Sequence, residues 1–185
     1  MARGAENRLK DRPNFPDLSY HRMSLESVQA FFAEHAPDIE VLVTEASSAT
    51  VLEAAAAHNV TPAQIAKTLS LRVGGQILLV VTSGEARLDN RKVKEHFGGK
   101  ASMLGADEVE TVTGHPVGGV CPFGLATALP VYCDVSLKAF DEVVPAAGSR
   151  NSALRISPQR MADLTGARWI DVCKEPAQDA AAAGA

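Results

Sequence analysis

The chain has 185 residues, 46% hydrophobic, 22% charged and 5% aromatic, with a formal net charge of -4. Such values suit one globular domain with a core of Val, Leu, Ile and Ala, and they argue against a broad non-specific nucleic-acid surface, which needs a basic face and, for single strands, exposed aromatics. Three cysteines without a Cys-x-x-Cys pair or zinc-finger spacing, and a longest hydrophobic run around Ile77 to Val81, point to a cytoplasmic protein with no metal site and no membrane role.

In chain order, residues 1–22 mix charges with Pro13 and Pro16 and read as an extended arm; 23–174 form the folded domain; the Ala-rich 175–185 reads as a flexible tail. Ser24 with Leu25, Val28, Phe31 and Phe32 predicts a capped amphipathic helix ending near Pro37. IEVLVT (39–44) reads as a strand, the alanines at 54–57 as a helix closed by His58-Asn59, and Thr61-Pro62 as a cap with a first-turn proline. IAKTLSLRV and QILLVVT flank Gly74-Gly75, a hairpin signal. Asp89 or Asn90 starts a helix that Gly98-Gly99 stops, and a short helix follows from Gly105. Strands are expected at PVYCD, around Glu142 to Val144, at ALRIS and at ARWIDV, with a helix from Ser157-Pro158 to Gly166. The sum is a mixed α/β, α+β-like single domain: a curved mixed sheet flanked by helices, and not a regular βαβ repeat. No glycine-rich nucleotide fingerprint stands at a strand-to-helix turn.

Lys67 interrupts an apolar strand. On strict alternation it shares a face with Ile65 and Leu69, while Ala66, Thr68 and Ser70 share the other. Such a lysine either snorkels to a sheet edge or holds a ligand at a pocket mouth. GHPVGGVCPFG (114–124) packs four glycines and two prolines into eleven positions, as a tight turn or as a loop whose bare N–H groups meet a ligand. Gly148, Ser149, Arg150 and Asn151 make a second donor-rich turn. Cys121 lies inside the glycine loop with His115 as the nearest candidate base, but a small buried or pocket-lining thiol is the favoured reading. His21, His35, His58 and His96 lack ligand spacing and read as surface residues, as do Glu108 and Glu110. Five basic residues from Arg87 to Lys100 form either a solvated helix face or a phosphate-facing patch.

PAQIAKTL, the strand ending in VVTSGEARLD, GHPVGGVCPFG and the late AAGSRN turn, in that order, resemble the YbaK / prolyl-tRNA-editing domain family over about residues 51–173. The resemblance implies a free-standing deacylase. Its substrate would be the ester of a mischarged tRNA, typically proline tRNA carrying Ala, Cys or another small wrong amino acid, and its partners the tRNA acceptor end and prolyl-tRNA synthetase. It needs neither metal nor cofactor. On this view Lys67 holds the terminal adenosine or its phosphate, and the backbone of Gly118 and Gly119 holds the aminoacyl carbonyl. Thr68, His115 and Cys121 contribute to the substrate pocket, and Gly148 to Asn151 form its opposite wall. Attack comes from water or from the substrate's own thiol. Two other classes stay open: a nucleotide- or aminoacyl-adenylate-binding module without turnover, and a thioesterase centred on Cys121.

Overall fold

The computed structural model describes residues 18–174, with side-chain environments from Ser24 onward; the expected arm up to residue 17 and the expected tail 175–185 lie outside the described residues. In chain order the elements are α1 (Leu18–His35), β1 (Leu42–Val43), α2 (Val51–His58), β2 (Ile65–Val73), β3 (Gln76–Ser83), α3 (Asn90–Phe97), β4 (Ala101–Met103), α4 (Ala106–Thr113), β5 (Val131–Asp134), β6 (Val144–Pro145), β7 (Ser152–Ala153), α5 (Pro158–Thr165) and β8 (Arg168–Ile170). Short 3-10 turns stand at Pro62–Gln64 and Val135–Ala139.

β2 and β3 form the expected hairpin. Val73 pairs with Gln76 across a two-residue loop in which Gly74 and Gly75 both take positive φ, a geometry that suits glycine. The main sheet runs β4-β2-β3-β5-β8, with β5 parallel to β3 and β8 parallel to β5. β6 joins the same edge of β2 that β4 occupies, but further along: β4 pairs with Leu71–Val73 and β6 with Ile65 and Ala66. Between them the edge of β2 carries no strand. β1 and β7 make a separate two-stranded ribbon, Leu42 opposite Ala153.

β3 is buried on both faces, which explains its continuous apolar run. Leu79 and Val81 face a core shared with Val28 and Phe32 of α1, Phe123, and Met161 of α5. Leu78 and Val80 face the opposite way, against Leu71, Val73 and Val93 of α3. Ala54 and Ala55 of α2 pack on Ile65, Val144 and Ala153 in a third cluster. No described helix is long and apolar enough to cross a membrane.

Several expectations change. α1 begins at Leu18, inside the segment read as an arm, and Ser24 is not its cap: its buried hydroxyl donates to the Gly148 carbonyl in the late turn. The strand expected at 39–44 contracts to Leu42–Val43, and of ALRIS only Ala153 lies in a strand, with Ser152 as β7; the rest of ALRIS makes no ladder, only an isolated bridge from Ile156 to Val143. β4 is short and was not anticipated; its pairing with β2 defines it. His58 is buried at the end of α2 rather than on the surface, where His35 and His96 do lie. Glu108 is ion-paired with Arg72.

Candidate active site

A cavity of about 240 Å³ opens where the edge of β2 lies free between β4 and β6. Its walls come from residues 65–68 and Ser70 of β2, the 48–51 segment entering α2, Met103 and Leu104, Val109 of α4, the glycine loop at Val117, Gly118 and Val120, and Val144, Ala146 and Ala153. The lining is largely apolar, and Lys67 is its one charged residue. Thr50 fixes the entry to α2 through a reciprocal capping box: its hydroxyl accepts the Glu53 N–H at 3.2 Å, and the Glu53 carboxylate accepts the Thr50 N–H at 3.0 Å.

Lys67 is half-buried. Its ammonium donates to the Gly84 carbonyl at 2.9 Å and to the Ala86 carbonyl, both just beyond the end of β3. Burial lowers its pKa from the usual lysine value. An ammonium has three N–H donors, so one is left after these two bonds.

The glycine loop turns at Pro116–Gly119, where the Gly119 N–H donates to the Pro116 carbonyl at 2.8 Å. Gly118 has φ +92°, and a Cβ there would lie 2.8 Å from the Ala49 side chain. Its own N–H has no hydrogen-bond partner among the described residues. The Gly119 carbonyl accepts the Gly148 N–H at 3.0 Å, and a Cβ on Gly119 would come within 2.9 Å of three Ser149 backbone atoms. Glycine loop and late turn are therefore joined main chain to main chain. Arg150 adds a bond from Nε to the Val117 carbonyl at 3.1 Å.

The late turn is itself held from behind. The Asn151 side chain donates to the Thr44 carbonyl at 2.8 Å, the Ser48 N–H donates to the Arg150 carbonyl at 2.7 Å, and the buried Ser149 hydroxyl bonds Asn151 and Ser152. Of the expected site residues, Lys67, Thr68 and Gly118 line the cavity. Gly119, Gly148, Ser149, Arg150 and Asn151 support its wall without lining it.

His115 and Cys121 are fully buried and lie outside the lining. They do meet: Cys121 Sγ is 3.7 Å from His115 Nδ1, which also accepts the Cys121 N–H at 3.4 Å. Burial pushes the thiol up to about 12 and the imidazole down to about 4, so both are neutral near pH 7. Such a pair has neither thiolate nor access. Sequence reasoning missed the 48–51 segment, though Thr50-x-x-Glu53 carries a capping-box signal, and it left Ser70 without a role. Among the described residues no group of three His, Cys, Asp or Glu side chains is placed to hold a metal.

The profile of the aminoacyl-tRNA editing domain matches residues 45–164. YwhH of Bacillus subtilis (strain 168), an uncharacterized protein, is 48% identical over 155 residues, spanning 83% of this chain and 99% of that one. A proline–tRNA ligase of Geobacter sp. (strain M21) is 32% identical over 107 residues, which is 57% of this chain but 19% of the ligase. Among solved structures, a candidate trans-editing enzyme for prolyl-tRNA synthetase superposes with a TM-score of 0.76 at 33% identity, covering 82% of this chain and 98% of that one. The cavity walled by Lys67 and Gly118 falls within the matched residues, and the chain belongs to the aminoacyl-tRNA editing domain family.

Proposed function

We propose that the chain hydrolyses, in trans, the ester joining a wrong small amino acid to a tRNA, with proline tRNA carrying alanine, cysteine or a similar residue as the substrate class. The observation that carries this reading is the Gly118 N–H, unengaged in the wall of a cavity of about 240 Å³ that Lys67, with one donor left, also lines. Family membership supports the reaction, and the likeness to a candidate trans-editing enzyme for prolyl-tRNA synthetase supports the tRNA.

An aminoacyl ester is already activated, so positioning and stabilisation of the developing oxyanion supply much of the acceleration. The Gly118 N–H holds the ester carbonyl and polarises it. Gly119 keeps Gly118 in place: its N–H closes the turn on Pro116 and its carbonyl anchors the loop to Gly148. Lys67 gives its remaining N–H to a ribose or phosphate oxygen of the terminal adenosine. Water, or the thiol of a cysteinyl substrate, is the nucleophile.

Purified protein is assayed on a panel of alanyl-, cysteinyl-, seryl- and threonyl-tRNAs. Hydrolysis of at least one supports the reading, and an intact panel overturns it; tight binding of an aminoacyl-adenosine analogue without turnover then points to a binding module. Lys67→Ala is expected to lower kcat/KM by about tenfold to a hundredfold, the worth of one charge-assisted hydrogen bond. Full activity in that variant removes Lys67 from the site.

A further inference from the structure

Five hydroxyl side chains line the cavity, and three are engaged. Ser48 Oγ donates to the Arg150 carbonyl at 3.2 Å, Thr50 Oγ1 accepts the Glu53 N–H, and Ser152 Oγ bonds Ser149. Thr68 Oγ1 and Ser70 Oγ differ: both atoms are buried, and neither has a hydrogen-bond partner among the described residues. The two stand at i and i+2 on β2, on one face of the strand, and Ser70 is only 3% exposed.

Strand hydroxyls nearby satisfy themselves on main chain. Thr82 donates to the Ser83 carbonyl at 3.1 Å and Ser83 to the Ala63 carbonyl at 2.7 Å. An unsatisfied buried hydroxyl costs about 1–3 kcal/mol. Two together, in the wall of a cavity whose other hydroxyls are all engaged, need an explanation beyond packing.

Resting on the editing reading of this cavity, we propose that Ser70 and Thr68 determine specificity by hydrogen-bonding the side chain of the amino acid to be removed, and that the preferred substrates carry a small neutral hydroxyl, as serine and threonine do. The cavity wall contains no carboxylate, so a cationic side chain finds no counter-charge. Lys67, its one cation, is already tied to two carbonyls. A methyl side chain fits the volume but leaves both hydroxyls unpaired. A substrate hydroxyl is donor and acceptor at once and so complements two hydroxyls. Serine χ1 has three staggered wells, so Ser70 Oγ turns towards the cavity without moving β2. Sites built to bond a substrate hydroxyl discriminate against the analogue lacking it far better than sites that read size alone.

Two pairs of tRNA substrates isolate the hydroxyl: seryl against alanyl, and threonyl against the isosteric valyl. Wild type is expected to favour the hydroxylated member of each pair by about tenfold or more in kcat/KM, the effect of one net hydrogen bond. In Ser70→Ala the preference is expected to fall to within about threefold, and Thr68→Val, which keeps shape and strand preference, is expected to erode it in the same direction. Non-hydrolysable 3′-amino-linked seryl- and alanyl-adenosine give the same order as a ratio of Kd. The inference is overturned if wild type hydrolyses the panel with alanyl ahead of seryl. It is equally overturned if both variants lose activity uniformly across substrates, since the hydroxyls then serve the strand or a part common to every ester. If no ester is cleaved, the editing reading itself fails, and the analogues still decide this point: tighter seryl binding supports the hydroxyl pair, and equal binding refutes it.

Discussion

His115 shows how far one side chain's surroundings can be from what its neighbours in sequence suggest. It stands in the glycine loop, yet it is fully buried, and burial holds its pKa near 4 against an ordinary 6.5. A histidine whose folded pKa lies below its unfolded one favours the native state above the unfolded value. Between pH 6.5 and 4 the unfolded chain binds more protons, so this contribution is lost as pH falls, by on the order of 3 kcal/mol in all. Burial lowers His58 as well, so the two act in the same direction. Urea midpoints measured from pH 7 to 4 are expected to fall steeply in wild type and less steeply in His115→Gln. Cys121, its neighbour, has a thiol raised to about 12 and no exposure, so editing activity is expected to survive iodoacetamide applied to the native protein. Loss of activity in parallel with alkylation of Cys121 would restore the thioesterase reading.

At the scale of loops and strands, the three glycines at the site serve different contacts. Gly118 meets Ala49, Gly119 meets the Ser149 backbone, and Gly148 meets the Ser24 carbonyl. Gly119→Ala places a methyl against main chain that has nowhere to go, and is expected to cost about 1–3 kcal/mol and to lower editing activity with it. Gly74→Ala is the control: its Cβ meets nothing, so only the φ of +56° is penalised, about 1–2 kcal/mol, with activity unchanged. Thermal unfolding and the deacylation rate, measured side by side, separate the two. The elements themselves divide in the same way. The β2–β3 hairpin and α3 were legible because their signals are local: Gly74-Gly75 between apolar runs, Asp89 accepting the Arg91 and Lys92 N–H groups, Gly98 in the left-handed region. β4 was not, and β1 and β7 were legible in place but not in length, since the extent of each is set by a partner distant in sequence rather than by local pattern. The candidate site's cavity was half legible for the same reason. Lys67 breaks an apolar run and Gly118 sits in a dense glycine motif, but Ser70 is an ordinary strand serine until β4 and β6 leave a gap beside it.

Across the whole molecule, the site loop is fastened to the first helix by aromatic packing. Phe123 lies against Phe32 with ring centroids 4.7 Å apart at 61°, and against Phe31 at 5.6 Å. Phe32 and Phe123 are almost wholly buried in the core that also holds Leu79, Val81 and Met161. Phe123→Ala removes a large side chain from a region that cannot collapse easily, and is expected to cost about 3–5 kcal/mol of stability in denaturant titration. A cost below 1 kcal/mol would mean that α1 is not a necessary wall of the core.

The main-chain seam between Gly119 and the Gly148-Ser149 turn has a further consequence. Because that contact involves backbone rather than side chains, the seam that anchors the glycine loop does not depend on the side chains of Val109, Val120, Met103 or Ser70. Those four can drift in size or polarity while the seam stays in register. A scaffold of this kind is evolvable in one direction only: duplicated copies can diverge in which amino acid they police, whereas substitutions at the seam erode every version alike. In a comprehensive mutational scan, Val109, Val120, Met103 and Ser70 should tolerate change with altered preference, and Gly119 and Gly148 should accept little but glycine.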